Sequence, residues 1–148
     1  MREILFHGRS IEGRMWYEGD LINAKGNIPP YVPMIVTTEF NNYNGTAIDV
    51  DPDTVGQYTG INDMNDKKIF EWDIVKITWN AVGREPVTEI HLVTYSKGCF
   101  CVSLDGRPRG LLSNYTGMTG EGYNVTVEVI GNIWDNAELL KGDTDHAE

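Results

Sequence analysis

The sequence predicts a mostly-β fold: a small barrel or pseudo-barrel of antiparallel strands with one short C-terminal helix. Three observations predict it. Apolar or alternating runs of strand length recur at a spacing of roughly ten residues. Clusters of Gly, Asn, Asp and Pro separate them, and the 148 residues include 16 glycines, a composition suited to tight turns. No strand run alternates with a long helical period, so a parallel α/β sheet is not expected.

The elements follow in order. Ile4 to Phe6 is a short first run, and Met15 to Ile22 is a strand with a kink at Gly19. Pro29, Pro30 and Pro33 mark a loop, and Met34 to Thr38 is rich in β-branched residues, as strands are. Asn44-Gly45 is hairpin chemistry, with Thr46 to Val50 as the return strand. Asp51-Pro52 starts a helical turn, Asp as its cap and Pro at its first position, and Gly56 and Gly60 keep it to about one turn.

Ile69 to Thr78 reads as one strand. Val87 to Tyr95 and Cys99 to Leu104 form a hairpin around Ser96-Lys97-Gly98. Residues 105–124 are Gly-rich and read as a long loop, after which Val125, Val127 and Val129 alternate with Thr126 and Glu128. The tail carries the clearest helix signal: Asp135 as cap, Glu138 three residues on, Gly142 as the stop. Tyr17-Glu18-Gly19-Asp20-Leu21-Ile22 is echoed by Phe70-Glu71-Trp72-Asp73-Ile74-Val75, which suggests two similar turn-into-strand corners. The expected organisation is one β domain over residues 1–142, with two lobes meeting near 50–70, and a frayed polar tail over 143–148.

Charge narrows the function classes. Acidic residues number 22 against 12 basic ones, a net charge of −10, which opposes direct contact with a phosphate backbone. Arg107-Pro108-Arg109 is the candidate local basic patch, read as a solvated loop. Cys99 and Cys101 are the only cysteines; two apart on a strand, they share a face and are badly placed to bridge. Reduced thiols, no apolar leader after Met1 and no apolar run of membrane-spanning length lead to the expectation of a cytoplasmic protein without a membrane.

The motifs favour structure over chemistry. Asp49-Val50-Asp51-Pro52-Asp53 opens like a calcium loop, yet Thr54 stands where the sharp turn needs Gly and Gly60 where it needs Glu. Asp63, Asp66, Glu71 and Asp73 form an acidic cluster with no His or Lys partner at a useful spacing. His91, Cys99 and Cys101 fall short of a closed zinc site. No nucleophile elbow, phosphate loop or dinucleotide fingerprint occurs. No catalytic residue, cofactor or metal is assigned. The aromatics Trp16, Tyr17, Phe70, Trp72, Trp79 and Trp134 are core candidates, and one of the adjacent pair Trp16 and Tyr17 is expected to face solvent.

Three segments together resemble the YopX family of phage and prophage proteins. They are Met1 to Gly8 with Trp16 to Leu21, Val50 to Gly60 running into Lys68 to Val75, and Val129 to Asn136 with Leu139-Leu140. The sequence departs from the family pattern at Asp66 and Trp72, where that pattern has glycine. Asp tolerates a left-handed turn better than most residues; whether Trp72 fills a pocket or faces solvent stays open. The resemblance implies a mostly-β fold in a phage-related genome, and no catalytic residues and no cofactor.

From this follows the expectation of a phage- or prophage-encoded accessory protein in the cytoplasm of a bacterial host. It would be non-enzymatic and act through contacts with a host or phage protein, with a homo-oligomer as a further expectation. The interaction surface is assigned to Trp16, Tyr17, Trp72, Asp63 and Asp66. Two alternatives are carried: an acidic DNA mimic that inhibits a nucleic-acid-binding protein, and a small enzyme with an acidic pocket.

Overall fold

The computed structural model describes residues 1–22, 32–37 and 46–141. The expected Pro29-Pro30 loop, the Asn44-Gly45 turn and the polar tail lie outside the described residues. The fold is mostly β, built from two antiparallel sheets with little helix. The chain divides into two compact units, Met1–Gly60 and Ile61–Glu148.

The first unit carries β1 (Phe6–Arg9), β2 (Trp16–Ile22), β3 (Met34–Thr37), β4 (Thr46–Asp49), a 3-10 turn (Pro52–Thr54) and most of β5 (Gly56–Asn62). Hydrogen-bonded order runs β4-β3-β2-β1-β5. Gly19 is where the chain needs glycine: a Cβ there would stand 2.0 Å from the Val36 carbonyl oxygen. β2 therefore passes the β3 backbone more closely than any side chain permits, and the strand runs on through Gly19 without a break. Ile35 and Val50 are fully buried, and Gly8 leaves the space that the Val50 side chain fills. The turn after β4 has the cap chemistry the sequence predicts: the Asp53 amide donates to Asp51 Oδ1 at 3.0 Å, and Pro52 opens the turn.

The second unit holds β6 (Lys68–Phe70), β7 (Asp73–Ala81), β8 (Val87–Ser96), β9 (Cys99–Leu104), β10 (Arg107–Leu111), α1 (Leu112–Thr116), β11 (Thr119–Gly120), β12 (Tyr123–Asn132) and a 3-10 turn (Ala137–Leu140). Sheet order is β10-β9-β8-β7-β12-β11. Val125 faces Trp79, Val127 faces Ile77 and Val129 faces Val75, so the alternation seen in β12 does put its valines on the apolar face. There Ile69, Val75, Ile77, Val93, Val102, Leu112, Val125 and Val127 form the core. α1 buries Leu112 completely and sets Tyr115 edge-on against Trp79, ring centroids 6.0 Å apart.

Four local expectations are corrected. Residues 105–124 are not a loop: Asp105-Gly106, both at positive φ (53° and 75°), turn β9 into β10, and α1 and β11 follow. Asp-Gly between strands is a hairpin signal in its own right, obscured here by the surrounding glycines. Ile69 to Thr78 is broken at Glu71-Trp72, where Trp72 takes φ +76° and turns β6 into β7. The echo between residues 17–22 and 70–75 is thus one of sequence only, because the first lies within the continuous strand β2. The C-terminal helical segment is a 3-10 turn of four residues; it begins after Asn136, and no side chain caps it. Asn136 Oδ1 instead accepts the Asn132 amide at 3.2 Å, which holds the preceding turn.

Candidate functional site

The residues expected to form an interaction surface belong to both units. Trp16 and Tyr17 are half-buried on β2 in the first unit, on opposite faces of the strand as neighbours must be. The Trp16 ring lies 4.7 Å from that of His7, tilted by 45°. Asp63, Asp66 and Trp72 belong to the second unit. Asp63 and Asp66 share the turn before β6, where the Asp66 amide donates to the Asp63 carbonyl at 3.0 Å. Trp72 sits on the next turn, half-buried, its ring edge-on to Trp134 at 6.3 Å.

The acidic cluster read from the sequence is therefore divided between two turns, and its buried members hold backbone. Asp63 Oδ1 accepts the amides of Asn65 (2.8 Å) and Lys67 (2.9 Å), and Oδ2 accepts that of Val129 (2.9 Å). Asp73 Oδ2 accepts the Phe70 amide at 2.8 Å. Asp66 is exposed and takes a hydrogen bond from Asn62 Nδ2 at 2.8 Å. Carboxylates that order a turn in this way are occupied by backbone donors.

His91 and the two cysteines do not converge. His91 pairs with Val75 across β7–β8, while Cys101 pairs with Thr94 across β8–β9. His91 is 2% exposed, with Nε2 2.8 Å from Glu89 Oε2 and Nδ1 buried without a hydrogen-bond partner. Glu89 and His91 stand two apart on one strand, a same-face pair that the alternation of Glu-Ile-His spells out. Among the described residues, no group of three or more His, Cys, Asp or Glu side chains is placed to hold a metal ion, and no helix is long and apolar enough to cross a membrane.

A well-formed concavity lies in the second unit, where β8 and β9, the Asp105-Gly106 turn and the C-terminal 3-10 turn meet. Its volume is about 390 Å³, within the range of ligand-sized clefts. Leu92, Leu104 and Leu140 supply apolar lining, and Thr94 and Ser103 contribute hydroxyls paired at 2.6 Å. Asp105 adds an exposed carboxylate from the turn at its edge. A pair of hydroxyls uses one proton internally and keeps lone pairs and the other proton for a visitor. The cleft can therefore seat an apolar group and exchange hydrogen bonds with it, with a negative charge alongside. The cleft has no local signal in the sequence, because its lining converges only through the turn at Asp105-Gly106.

No curated protein matches the chain. The crystal structure of protein EF1440 from Enterococcus faecalis is similar in fold, with a TM-score of 0.53 at 23% identity, covering 95% of this chain and 99% of that one. The family model described as YopX protein matches residues 11–141, most of the chain. The protein belongs to the YopX family.

Proposed function

We propose that the protein is an accessory protein of a phage or prophage that acts by holding a segment of a protein partner, without catalysis of its own. The observation that carries this reading is the cleft of the second unit. Its apolar leucines suit an aliphatic or aromatic anchor, the kind of residue on which protein contacts concentrate their energy. Asp105 and the net charge of −10 favour a basic segment around that anchor, both by contact and by steering the encounter.

The test compares the tagged wild type with Leu104→Arg and Leu140→Glu, two changes that fill or charge the cleft. Each is used to capture proteins from bacterial host lysate at low and at ~0.3 M salt, a step that screens exposed charge contacts. A partner held by the wild type and lost by both folded variants supports the reading. Equal capture by all three sinks it. A nucleic-acid-handling partner that both variants still hold, released only by salt, favours instead a DNA mimic, which the net charge of −10 motivates.

A further inference from the structure

We propose that a second pocket, confined to the first unit, is a binding site for a small oxyanion, a carboxylate or a phosphate group, held by Arg14 together with Arg9. The pocket measures about 300 Å³ and is lined by Arg9, Ser10, Ile11, Arg14, Asp51 and Pro52. It is distinct from the cleft of the proposed function and does not rest on that reading.

Three observations converge on it. The first is charge. In a chain with 22 acidic and 12 basic residues, two arginines line one small pocket with a single aspartate; Arg9 has interactions of its own, so the open fork is that of Arg14. Part of the aspartate is committed elsewhere, since Asp51 Oδ1 accepts the Asp53 amide at 3.0 Å. The second is the state of Arg14. It is exposed, and its guanidinium has no hydrogen-bond or ion-pair partner among the described residues. A planar fork of five donors beside a pocket, open among the described residues, matches the oxygens of a carboxylate or phosphate.

The third is the backbone that presents it. Arg14 stands at φ +50°, a left-handed conformation that an L side chain adopts at a cost of about 1 kcal/mol or more. The surroundings hold it there. The Ser10 amide donates to the Met15 carbonyl at 2.8 Å, and the Met15 amide returns to Ser10 Oγ at 2.9 Å. The Ile11 amide donates to the Asp49 carbonyl at 3.1 Å, tying the turn to β4. Across the pocket, the Asp51 amide donates to the Arg9 carbonyl and the Arg9 amide to Thr54 Oγ1, each at 2.9 Å. A strained residue fixed by a hydrogen-bonded frame is the pattern of a preorganised site. A long polyanion is not the expected ligand, because the charge of the rest of the protein opposes it.

The experiment follows backbone amide resonances of the full chain while inorganic phosphate or acetate is added at constant ionic strength, with sodium chloride as the reference salt. The expected result is saturable shifts confined to residues 9–15 and 51–54 with at least one of the two oxyanions. Saturation by phosphate alone identifies a phosphoryl ligand, and saturation by acetate alone a carboxylate. Arg14→Gly keeps the left-handed turn, because glycine adopts it freely, and should weaken binding about tenfold or more through loss of the charge-assisted fork. Asp51→Asn keeps the cap and should tighten binding about threefold by removing the like charge. Arg107→Gln, in the other unit, should change nothing. Shifts that never saturate, that chloride reproduces, or that survive undiminished in Arg14→Gly overturn the proposal.

Discussion

The Val129 amide donates to Asp63 Oδ2 at 2.9 Å, joining a turn to a strand 66 positions later in the chain. The same carboxylate closes its own turn through Asn65 and Lys67, and the neighbouring Met64 amide donates to the Val127 carbonyl at 2.9 Å. A buried aspartate, 8% exposed, is thereby the link that fixes the turn before β6 against β12. Asp63→Asn replaces one accepting oxygen with a donor that faces an amide donor. It should destabilise the second unit by about 2–3 kcal/mol, the cost of a lost charged hydrogen bond and an unsatisfied buried group. Urea unfolding followed by tryptophan fluorescence reads this directly. A loss below ~0.5 kcal/mol would mean that the turn re-satisfies its amides without the carboxylate.

Trp72 and Asp66, the two positions where the family resemblance expects glycine, stand at φ +76° and +62°. Both positions thus hold the left-handed conformation that glycine adopts freely. Trp72 is anchored on both sides: its amide donates to the Val93 carbonyl at 2.8 Å, and its carbonyl accepts the Ile133 amide at 3.0 Å. Its ring recovers part of the left-handed cost through the edge-on contact with Trp134. Alanine at this position loses the ring and keeps the strain, whereas glycine loses the ring and the strain together. Trp72→Gly should therefore be more stable than Trp72→Ala by about 1 kcal/mol. Paired thermal melts decide it, and equal melting points would show that the turn relaxes away from positive φ.

How much was legible turns on whether the signal was local. Asp51-Pro52, Lys97-Gly98 and the valines of β12 each carry their instruction within a few residues, and each forms what it spells. Asp63 could not be read in this way. Its sequence neighbours are acidic and polar, so it looked like a solvated turn, and the amide that buries it comes from Val129. The cleft was hidden for a related reason: Leu92, Leu104 and Leu140 meet only after β9 turns at Asp105 and the tail returns to β8. The turn at Trp72 has no local signal against the surrounding strand run, because its left-handed backbone is set by tertiary hydrogen bonds that outweigh the β propensity of tryptophan.

Gly19 offers a test in the first unit. A methyl group there would meet the Val36 carbonyl oxygen at 2.0 Å, and the obstacle is backbone rather than a side chain that could rotate. Gly19→Ala must separate β2 from β3 and should cost about 3 kcal/mol, the upper end for added volume in a packed site. Amide exchange at residues 34–37 should accelerate while that of β7 and β12 is unchanged. Uniform protection in the variant would show that the strands part without loss of pairing.

The two thiols should react at separate rates. Cys99 is exposed at the start of β9, and Cys101, 7% exposed, is paired to Thr94 with its Sγ 3.7 Å from the Cys99 carbonyl oxygen. Both are free, and their shared strand face keeps them from a strainless bridge. Under native conditions an aromatic disulfide reagent should titrate one thiol quickly, and the second only as β9 opens or the unit unfolds. Cys99→Ser should abolish the fast phase and leave stability within about 0.5 kcal/mol, as for an exposed position. Cys101→Ser should leave the fast phase and lower stability by about 1–2 kcal/mol, because a hydroxyl then replaces a buried sulfur. Two thiols reacting together at the fast rate would mean that β9 is open in solution, and the wall that it gives to the cleft would be lost with it.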